Sequence, residues 1–408
     1  MTVYLKLNDV CESIIDCPHE SPEWLNEGVR VIRNFNLIDG QLDFSDAYYV
    51  DEETYKKRTR RTVPKAGDII FSREAPIGNC AIVPENMKCC LGQRLVLLRV
   101  NHNVCSSEYL LTVLMSDYVK QQINQVSKRG SIVSNFAIED LKELIIPIVD
   151  KKEEIAKIAE LFRRKTKNNN QVNDNLQEQI KLLYDYWFTQ FDYPDSKGNP
   201  YKTSGGKMVL NTKLKRLIPE GWNVVNLLEY VKWESNSQPP KSEFIYQMRE
   251  GYVRFIQNRD YDSNSYKTFI PFKKSLSTVT KYDILMDKYG DAGRVRYGIE
   301  GVFNVALGKI CVNNPIAQEY VRSFFESSSI YTYLHNSCMA STRASLSEAN
   351  LATLDILVPP DELLSSYQKN VRAIRQLILK NKEENEFLAS YRDWLLPMLM
   401  NGQVTITD

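Results

Sequence analysis

Two hydrophobic patterns alternate along the chain. Short apolar runs rich in β-branched residues predict strands, for example at 31–32, 69–71 and 95–98. Two longer segments, 107–126 and 318–334, carry apolar residues at helical spacing, and each is predicted to form one amphipathic helix. Each group of strands with its helix makes a mixed α/β body of roughly 150 residues, which is an ordinary domain size.

The second half of the chain repeats the first, weakly but in the same order. Chance matches do not keep their order over so long a stretch, so the chain is predicted to contain two copies of one fold. A polar loop closes each copy and leads into a short helix and a strand. The matched segments are 29–34 with 253–258, 67–70 with 282–285, 91–95 with 303–307, and the polar loops 128–131 with 340–343.

After each α/β body the apolar residues become spaced three and four positions apart. Both stretches lack glycine and proline over about 35 residues, which is long for a helix inside a globular core. Each stripe also contains asparagine, which can fix the register of paired helices when buried. We therefore expect an antiparallel coiled coil about 50 Å long, with packing of each helix on its own domain as the alternative. The stripe residues are Ile155, Ile158, Phe162, Lys165, Asn169, Val172 and Leu176, then Val371, Ile374, Ile378, Asn381, Asn385 and Leu388.

The predicted fold class is α/β (α+β), with two globular domains that are separated by the two long helices and related by a pseudo-two-fold repeat. A polar, turn-rich stretch connects the two halves. The predicted boundaries are 1–150 for the first domain, 151–190 for the first helix, 191–216 for the linker, 217–358 for the second domain, 359–401 for the second helix and 402–408 for a tail.

Composition narrows the class of protein. No apolar run approaches the ~18 residues of a membrane span, and the first residues do not form a signal peptide, so a cytoplasmic location is expected. The 52 lysines and arginines nearly cancel the 51 acidic residues, so a nucleic-acid-binding surface must be a local patch. The eight cysteines include no Cys-x-x-Cys pair, and only three histidines are present. Packed, reduced thiols are therefore expected, with no metal site.

The usual enzyme signatures are missing from the sequence. The segment 308–310 is not a Walker A loop, because it lacks the preceding glycine and the hydroxyl residue. The glycines of 290–293 do not form a dinucleotide fingerprint. Neither Pro-Pro pair, at 239–240 or 359–360, matches the Asn/Asp-Pro-Pro-aromatic loop of adenine methyltransferases. Together with a duplicated architecture, these absences favour a binding protein.

The whole chain resembles the specificity subunit of type I restriction–modification systems. The alternation of two domains with two long helices carries most of the resemblance. The opening Ile-Pro-Glu-Gly-Trp of the second domain, at 218–222, is similar to the start of target-recognition domains in that family, whereas the first domain lacks this opening. The C-terminal run 394–404 and the segment 339–343, followed by Leu351 and Ile356, are also similar to the family.

The resemblance implies a DNA-reading protein without catalysis or cofactor of its own. Each domain would read one half of a bipartite double-stranded DNA target, and the helices would set the number of unread base pairs between the halves. Two separate methyltransferase subunits would use S-adenosylmethionine to methylate adenine, after flipping the base. Restriction subunits that translocate with ATP and Mg would cleave phage DNA. These partners would bind the helices near exposed aromatic residues, namely Tyr184, Trp187, Tyr391 and Trp394.

Candidate DNA contacts are Arg, Lys, Asn and Gln side chains at strand ends and in polar loops. The loops 128–131 and 340–343 are favoured, because small residues beside arginine allow close approach to phosphate. The basic run 56–61 is either a phosphate-contacting loop, which we slightly prefer, or a solvated turn. The candidates are Arg30, Arg33, Asn34, Arg73, Arg94, Lys128, Arg129 and Ser131 in the first domain, and Arg254, Gln257, Asn258, Lys288, Arg294, Arg296, Thr342 and Arg343 in the second.

Three other functions fit parts of the same pattern. A coiled-coil scaffold that binds only proteins would show no DNA affinity and no steep salt dependence. An enzyme with an unrecognised site would need acidic groups with perturbed pKa values gathered in a pocket. Binding to structured RNA is a third possibility, but two equivalent domains on a rigid rod fit a straight duplex better.

Overall fold

A computed structural model describes residues 2–74, 76–127, 136–262, 266–339, 345–404 and 406. The chain folds into two compact units. Unit 1 consists of residues 1–170 and 382–408, and unit 2 consists of residues 171–381. Both long helices therefore contribute residues to both units.

The first 184 residues contain eleven strands and six helices within the described residues. The strands are β1 (Val3–Lys6), β2 (Cys11–Asp16), β3 (Val29–Ile32), β4 (Leu37–Ile38), β5 (Gln41–Leu42), β6 (Tyr48–Val50), β7 (Ile69–Ser72), β8 (Cys80–Ile82), β9 (Cys89–Leu91), β10 (Leu95–Val100) and β11 (Ile145–Ile148). The helices are α1 (Leu7–Val10), α2 (Glu52–Arg58), α3 (Ser107–Leu114), α4 (Asp117–Ser127), α5 (Ile138–Lys142) and α6 (Lys152–Tyr184).

The remaining described residues contain twelve further strands and five helices. The strands are β12 (Met208–Asn211), β13 (Arg216–Pro219), β14 (Asn223–Asn226), β15 (Val231–Ser235), β16 (Tyr252–Ile256), β17 (Phe269–Pro271), β18 (Thr278–Val279), β19 (Ile284–Asp287), β20 (Val295–Arg296), β21 (Gly301–Phe303), β22 (Leu307–Val312) and β23 (Asp355–Val358). The helices are α7 (Leu227–Tyr230), α8 (Gln318–Glu326), α9 (Ser328–Met339), α10 (Glu348–Leu351) and α11 (Asp361–Met400).

The two units have the same sheet order, which confirms the predicted repeat. The four-stranded antiparallel sheet β2-β10-β7-β8 of unit 1 has its counterpart in β15-β22-β19-β20 of unit 2. The smaller sheets also correspond, because β3 lies parallel to β9 and antiparallel to β6, as β16 does to β21 and β17. Two corresponding tyrosines also make the same hydrogen bond. The hydroxyl of Tyr109 donates to the Pro147 carbonyl, and that of Tyr320 donates to the Leu357 carbonyl, both at 2.7 Å.

Strand β10 shows why the main sheet of unit 1 is so apolar. Its residues alternate between two separate hydrophobic clusters, since Leu95 and Leu97 pack with Ile70 while Val96 and Leu98 pack on the opposite side. A strand buried on both faces reads as a continuous apolar run rather than as an alternation. The predicted strands at 31–32, 69–71 and 95–98 are all confirmed.

The two amphipathic helices predicted at 107–126 and 318–334 are each broken in two, and the prediction of single helices is wrong. The breaks lie at corresponding serines. Ser116 donates its hydroxyl to the Val113 carbonyl at 2.6 Å, and Ser327 donates to the Phe324 carbonyl at 2.7 Å. A serine hydroxyl that bonds a carbonyl of the preceding turn competes with the helical backbone, so one helix ends and the next begins there.

The long helices pair in antiparallel fashion within each unit, as predicted. In unit 1 the ring of Phe162 lies 5.9 Å from that of Tyr391, and the amide of Asn169 donates to Asn385 at 2.9 Å. Asn169 is 4% exposed, which confirms a buried asparagine in the stripe. Helix α11 continues beyond Tyr391 and Trp394 to Met400, and its last residues enter the core of unit 1.

In unit 2 a second asparagine pair occupies the same kind of position. The amide of Asn381 donates to the Asn173 side chain at 2.9 Å, and the rings of Tyr184 and Tyr367 are 6.5 Å apart. The sequence pattern assigned this stripe position to Val172, but Val172 is exposed and Asn173 is buried. None of the helices in the described ranges is long and apolar enough to cross a membrane.

Candidate nucleic-acid interface

Three segments of unit 1 that carry candidate residues meet at one end of the strands of the main sheet. The backbone N–H of Arg73, at the turn after β7, donates to the Arg94 carbonyl at 2.9 Å, just before β10. The N–H of Gly92 donates to the Ile32 carbonyl at 2.7 Å, which joins this loop to the end of β3. We call the surface formed by Arg33, Arg73 and residues 92–94 loop cluster 1.

Unit 2 builds the same surface with the same bonds. The N–H of Lys288 donates to the Ala306 carbonyl, and the N–H of Asn304 donates to the Ile256 carbonyl, both at 2.9 Å. We call the surface formed by Gln257, Lys288 and residues 304–306 loop cluster 2. Candidates that are far apart in sequence are thus brought together twice, at equivalent places.

The polar loops favoured by the sequence lie outside the described residues, and the description resumes at residues 136 and 345. The N–H of Phe136 donates to the Arg73 carbonyl, and the N–H of Leu346 donates to the Lys288 carbonyl, both at 2.9 Å. Phe136 and Leu346 therefore lie at corresponding places, each bonded to its loop cluster. The candidates outside the described residues are Lys128, Arg129, Ser131, Thr342 and Arg343.

Three candidate arginines are largely buried in ion pairs. Arg73 lies 3.0 Å from Asp16 and also donates to the Phe136 carbonyl, Arg254 lies 3.0 Å from Asp260, and Arg296 lies 2.9 Å from Asp287. Burial raises the pKa of Asp287, and its bonds with Arg296 oppose that shift. These arginines hold turns and strands in place through their ion pairs. Their contact with DNA stays a prediction.

Other candidates are more exposed but are mostly engaged. Arg94 and Arg294 are about half exposed and each pairs with a carboxylate at 2.8 Å, Glu74 and Asp291 respectively. The remaining partners are a ring, two side-chain oxygens and a carboxylate. Arg30 lies 5.2 Å above the Phe44 ring, Gln257 donates to Thr268, Lys288 to Ser235, and Asn258 to Asp287. Asn34 is half-buried at the start of the 3₁₀ turn after β3.

Sequence reasoning missed an aromatic surface beside loop cluster 1. The guanidinium of Arg33 lies 4.6–5.2 Å from the ring centres of Trp24, Phe35 and Tyr48. Trp24 and Phe35 are more than one-third exposed. The three rings come from separate segments, so no local pattern announces the cluster. Aromatic residues flanking an arginine-bearing strand end were the only available signal.

The basic run 56–61 is not a free loop. Its first half, 56–58, lies in α2, where Arg58 is 8% exposed and donates to the carbonyls of Leu91 and Glu20 at 2.8 Å. Lys57 pairs with Glu20 at the surface. The preference for a phosphate-contacting loop is therefore wrong for Arg58, whose donors satisfy backbone carbonyls inside the unit.

The four aromatic residues predicted as exposed partner contacts fall into two classes. Tyr184 and Trp187 pack against Tyr367 inside unit 2, and Trp187 is only 5% exposed. Their expected exposure is wrong, because the chain turns into the core directly after α6. Tyr391 and Trp394 are 41% and 54% exposed and stack on one another at 5.6 Å.

The cysteines are free and almost all are buried. Burial raises the pKa of the Cys11, Cys80 and Cys105 thiols to about 12. These thiols therefore stay protonated at neutral pH, which makes them poor nucleophiles and poor metal ligands. No group of His, Cys, Asp and Glu suited to a metal ion occurs among the residues that the structure describes.

Known proteins share this architecture. The family profile "Type I restriction modification DNA specificity domain" matches residues 3–182 and 219–389. The MjaIX specificity subunit of Methanocaldococcus jannaschii is 23% identical over 88% of this chain and 82% of its own. The HindI specificity subunit of Haemophilus influenzae is 20% identical over 83% of this chain and 87% of its own.

A solved structure shows the same fold. The crystal structure of the type I restriction–modification S subunit from M. genitalium matches with a TM-score of 0.58 and 14% sequence identity. The match covers 100% of this chain and 97% of the other. The predicted fold class, two mixed α/β bodies with two long antiparallel helices and an internal repeat, is confirmed.

Proposed function

This chain belongs to the type I restriction modification DNA specificity family, and from that membership we propose that it reads a bipartite DNA sequence, with each unit contacting one half-site. The observation that carries the proposal is the duplication of the loop cluster. Loop clusters 1 and 2 are built from the same backbone bonds, and Phe136 and Leu346 donate to them at corresponding places. A protein with two equivalent reading surfaces fits a target in two parts.

We further propose that the chain is the non-catalytic member of a complex. Two methyltransferase subunits carry S-adenosylmethionine and flip and methylate the target adenine, and restriction subunits use ATP and Mg. The names of the relatives as specificity subunits support this division of labour. The protonated, buried cysteines described above fit a chain that leaves the chemistry to its partners.

The exposed aromatic row on α11 is the proposed contact with a partner subunit. Phe387, Tyr391 and Trp394 stack in sequence, with ring centres 5.9 and 5.6 Å apart. All three are more than 40% exposed. Contiguous exposed aromatic residues are typical of protein–protein contacts. The buried Tyr184 and Trp187 do not belong to this contact.

DNA binding by the complex of this chain with its methyltransferase subunits is expected to weaken steeply with salt. Neutralising six to ten phosphates releases counterions, so affinity should fall by about 10³- to 10⁵-fold between 50 and 200 mM salt. Fluorescence anisotropy measures this dependence with a labelled, unmethylated duplex that contains the sequence found to be methylated in cells. The methyltransferase subunits without this chain are the control. Binding that is absent, or equally strong at both salt concentrations, would favour a protein-binding scaffold instead.

A further inference from the structure

Contacts of its backbone, its stem and the face of its guanidinium hold Arg33 in place, and none of them uses the N–H groups of the guanidinium. Its backbone N–H donates to the Asn36 side chain at 2.9 Å, and the N–H of Asn36 donates back to the Arg33 carbonyl at 3.0 Å. Gly92 packs against its stem, because a Cβ at Gly92 would lie 3.2 Å from the Cγ of Arg33 and 2.8 Å from the Ile32 carbonyl oxygen. Only glycine fits so closely there.

Three aromatic rings hold the guanidinium itself. The group lies 4.6 Å from the centre of the Tyr48 ring, 4.7 Å from that of Phe35 and 5.2 Å from that of Trp24. Tyr48 and Trp24 also pack edge to face on each other at 5.1 Å. Among the residues that the structure describes, no carboxylate pairs with this guanidinium and no acceptor takes its N–H groups. The neighbouring arginines Arg73 and Arg94 differ, since both form ion pairs.

We propose that Arg33 reads a guanine in the half-site contacted by unit 1, and that the ring cluster of Trp24, Phe35 and Tyr48 positions it. The proposal rests on the proposed function. A guanidinium offers a planar fork of donors that matches the O6 and N7 acceptors of guanine in the major groove. A side chain that is immobilised before binding loses little entropy on forming that contact. Phosphate contact needs no such fixed plane, and phosphate sites usually gather several free cations.

The equivalent position in unit 2 does not have these properties. Gln257 occupies it, with its backbone N–H bonded to Asp260 at 3.0 Å. The Gln257 amide, however, donates to the Thr268 hydroxyl at 3.1 Å and is already engaged. The inference therefore concerns one half-site only, and the other half-site serves as an internal reference.

Arg33→Lys is expected to relax the target at a single guanine position. Lysine keeps the positive charge but lacks the rigid planar fork of the guanidinium, so discrimination at that position should fall about 10- to 100-fold. Adenine-methylation sequencing in cells expressing the variant with its methyltransferase shows the change. Trp24→Ala should relax the same position and Trp24→Phe should preserve it. Tyr118→Ala, which removes an exposed ring elsewhere in unit 1, is the matched control.

A base analogue tests the contact directly. A duplex with 7-deazaguanine at the relaxed position lacks the N7 acceptor, so it should bind the wild-type complex about tenfold more weakly and an Arg33→Ala complex, which has no donor at this position, without further loss. An unchanged motif in Arg33→Lys, equal loss at all sites, or the same analogue penalty in both proteins would overturn the inference. If the wild-type protein itself gives no two-part motif, the proposed function fails instead.

Discussion

Replacing Glu319 with alanine is expected to lower the free energy of unfolding of unit 2 by about 3–5 kcal/mol. Glu319 is fully buried on α8, and its carboxylate contacts Arg375 at 2.7 Å, Arg322 at 2.8 Å and Arg372 at 3.4 Å. Arg322 and Arg375 are themselves at most 2% exposed. Removing the carboxylate would leave two buried guanidinium groups close together, with the carboxylate of Glu326 as their remaining negative partner.

The remaining partners cannot replace Glu319. Glu326 lies 2.6 Å from Arg375 but is partly exposed, and Arg322 otherwise reaches the Tyr282 carbonyl and the Tyr297 ring. A loss of this size is a large fraction of the 5–15 kcal/mol that stabilises an ordinary domain. Because Arg372 and Arg375 lie on α11, the same change should also loosen the hold of that helix on unit 2.

Urea unfolding followed by tryptophan fluorescence measures the effect of Glu319→Ala. Three of the five tryptophans, Trp187, Trp222 and Trp233, lie in unit 2, and the first two are buried. Glu108→Ala is the matched control, because Glu108 precedes Tyr109 as Glu319 precedes Tyr320 but is exposed. The control should change the free energy of unfolding by less than about 0.5 kcal/mol. Equal effects of the two changes would contradict the assigned role of the buried cluster.

Lengthening both long helices by one heptad is expected to widen the unread gap of the DNA target. Seven helical residues add about 10 Å, which corresponds to about three base pairs. The inserts belong after Asn170 in α6 and after Asn381 in α11, where each helix passes from one unit to the other. A full heptad keeps the stripe in phase, so Asn169 with Asn385 and Asn173 with Asn381 can still pair.

Methylation sequencing of the double-insertion variant reads the gap directly. An insert in α11 alone is the control, because it shifts the asparagine pairs out of register and should abolish methylation. Two half-sites with their original sequences and a wider gap are the expected result. If the double insertion kept the original gap, the paired helices would not determine the spacing.

The sequence was sufficient wherever the signal is local or repeated. The strand ending at Ile32 and its copy ending at Ile256 carry the same β-branched pattern, and each continues into a 3₁₀ turn. Asn169 could be singled out from the sequence, because an asparagine in an apolar stripe is known mainly as a residue that fixes the register of paired helices. The two helix breaks were missed, because a serine inside a helical pattern costs little until its hydroxyl bonds the previous turn.

The candidate site was harder to predict because its chemistry depends on partners that are distant in sequence. Arg73 and Arg33 look alike along the chain, but Arg73 is neutralised by Asp16, 57 residues away, whereas the guanidinium of Arg33 lies against aromatic rings. Tyr184 with Trp187 and Tyr391 with Trp394 have the same spacing in the sequence, yet Trp187 is buried and Trp394 is exposed. In each pair the tertiary neighbours decide whether a side chain is available to DNA or to another protein.

Single-molecule sequencing of adenine methylation shows whether each unit reads one half of a bipartite target. The measurement is made in cells that express this chain with its methyltransferase, first intact and then with the first α/β body replaced by that of a relative. The expected result is a motif in two parts, of which only one part changes after the replacement. No methylation by a methyltransferase that is active with another specificity subunit, or a motif altered on both sides, would contradict it.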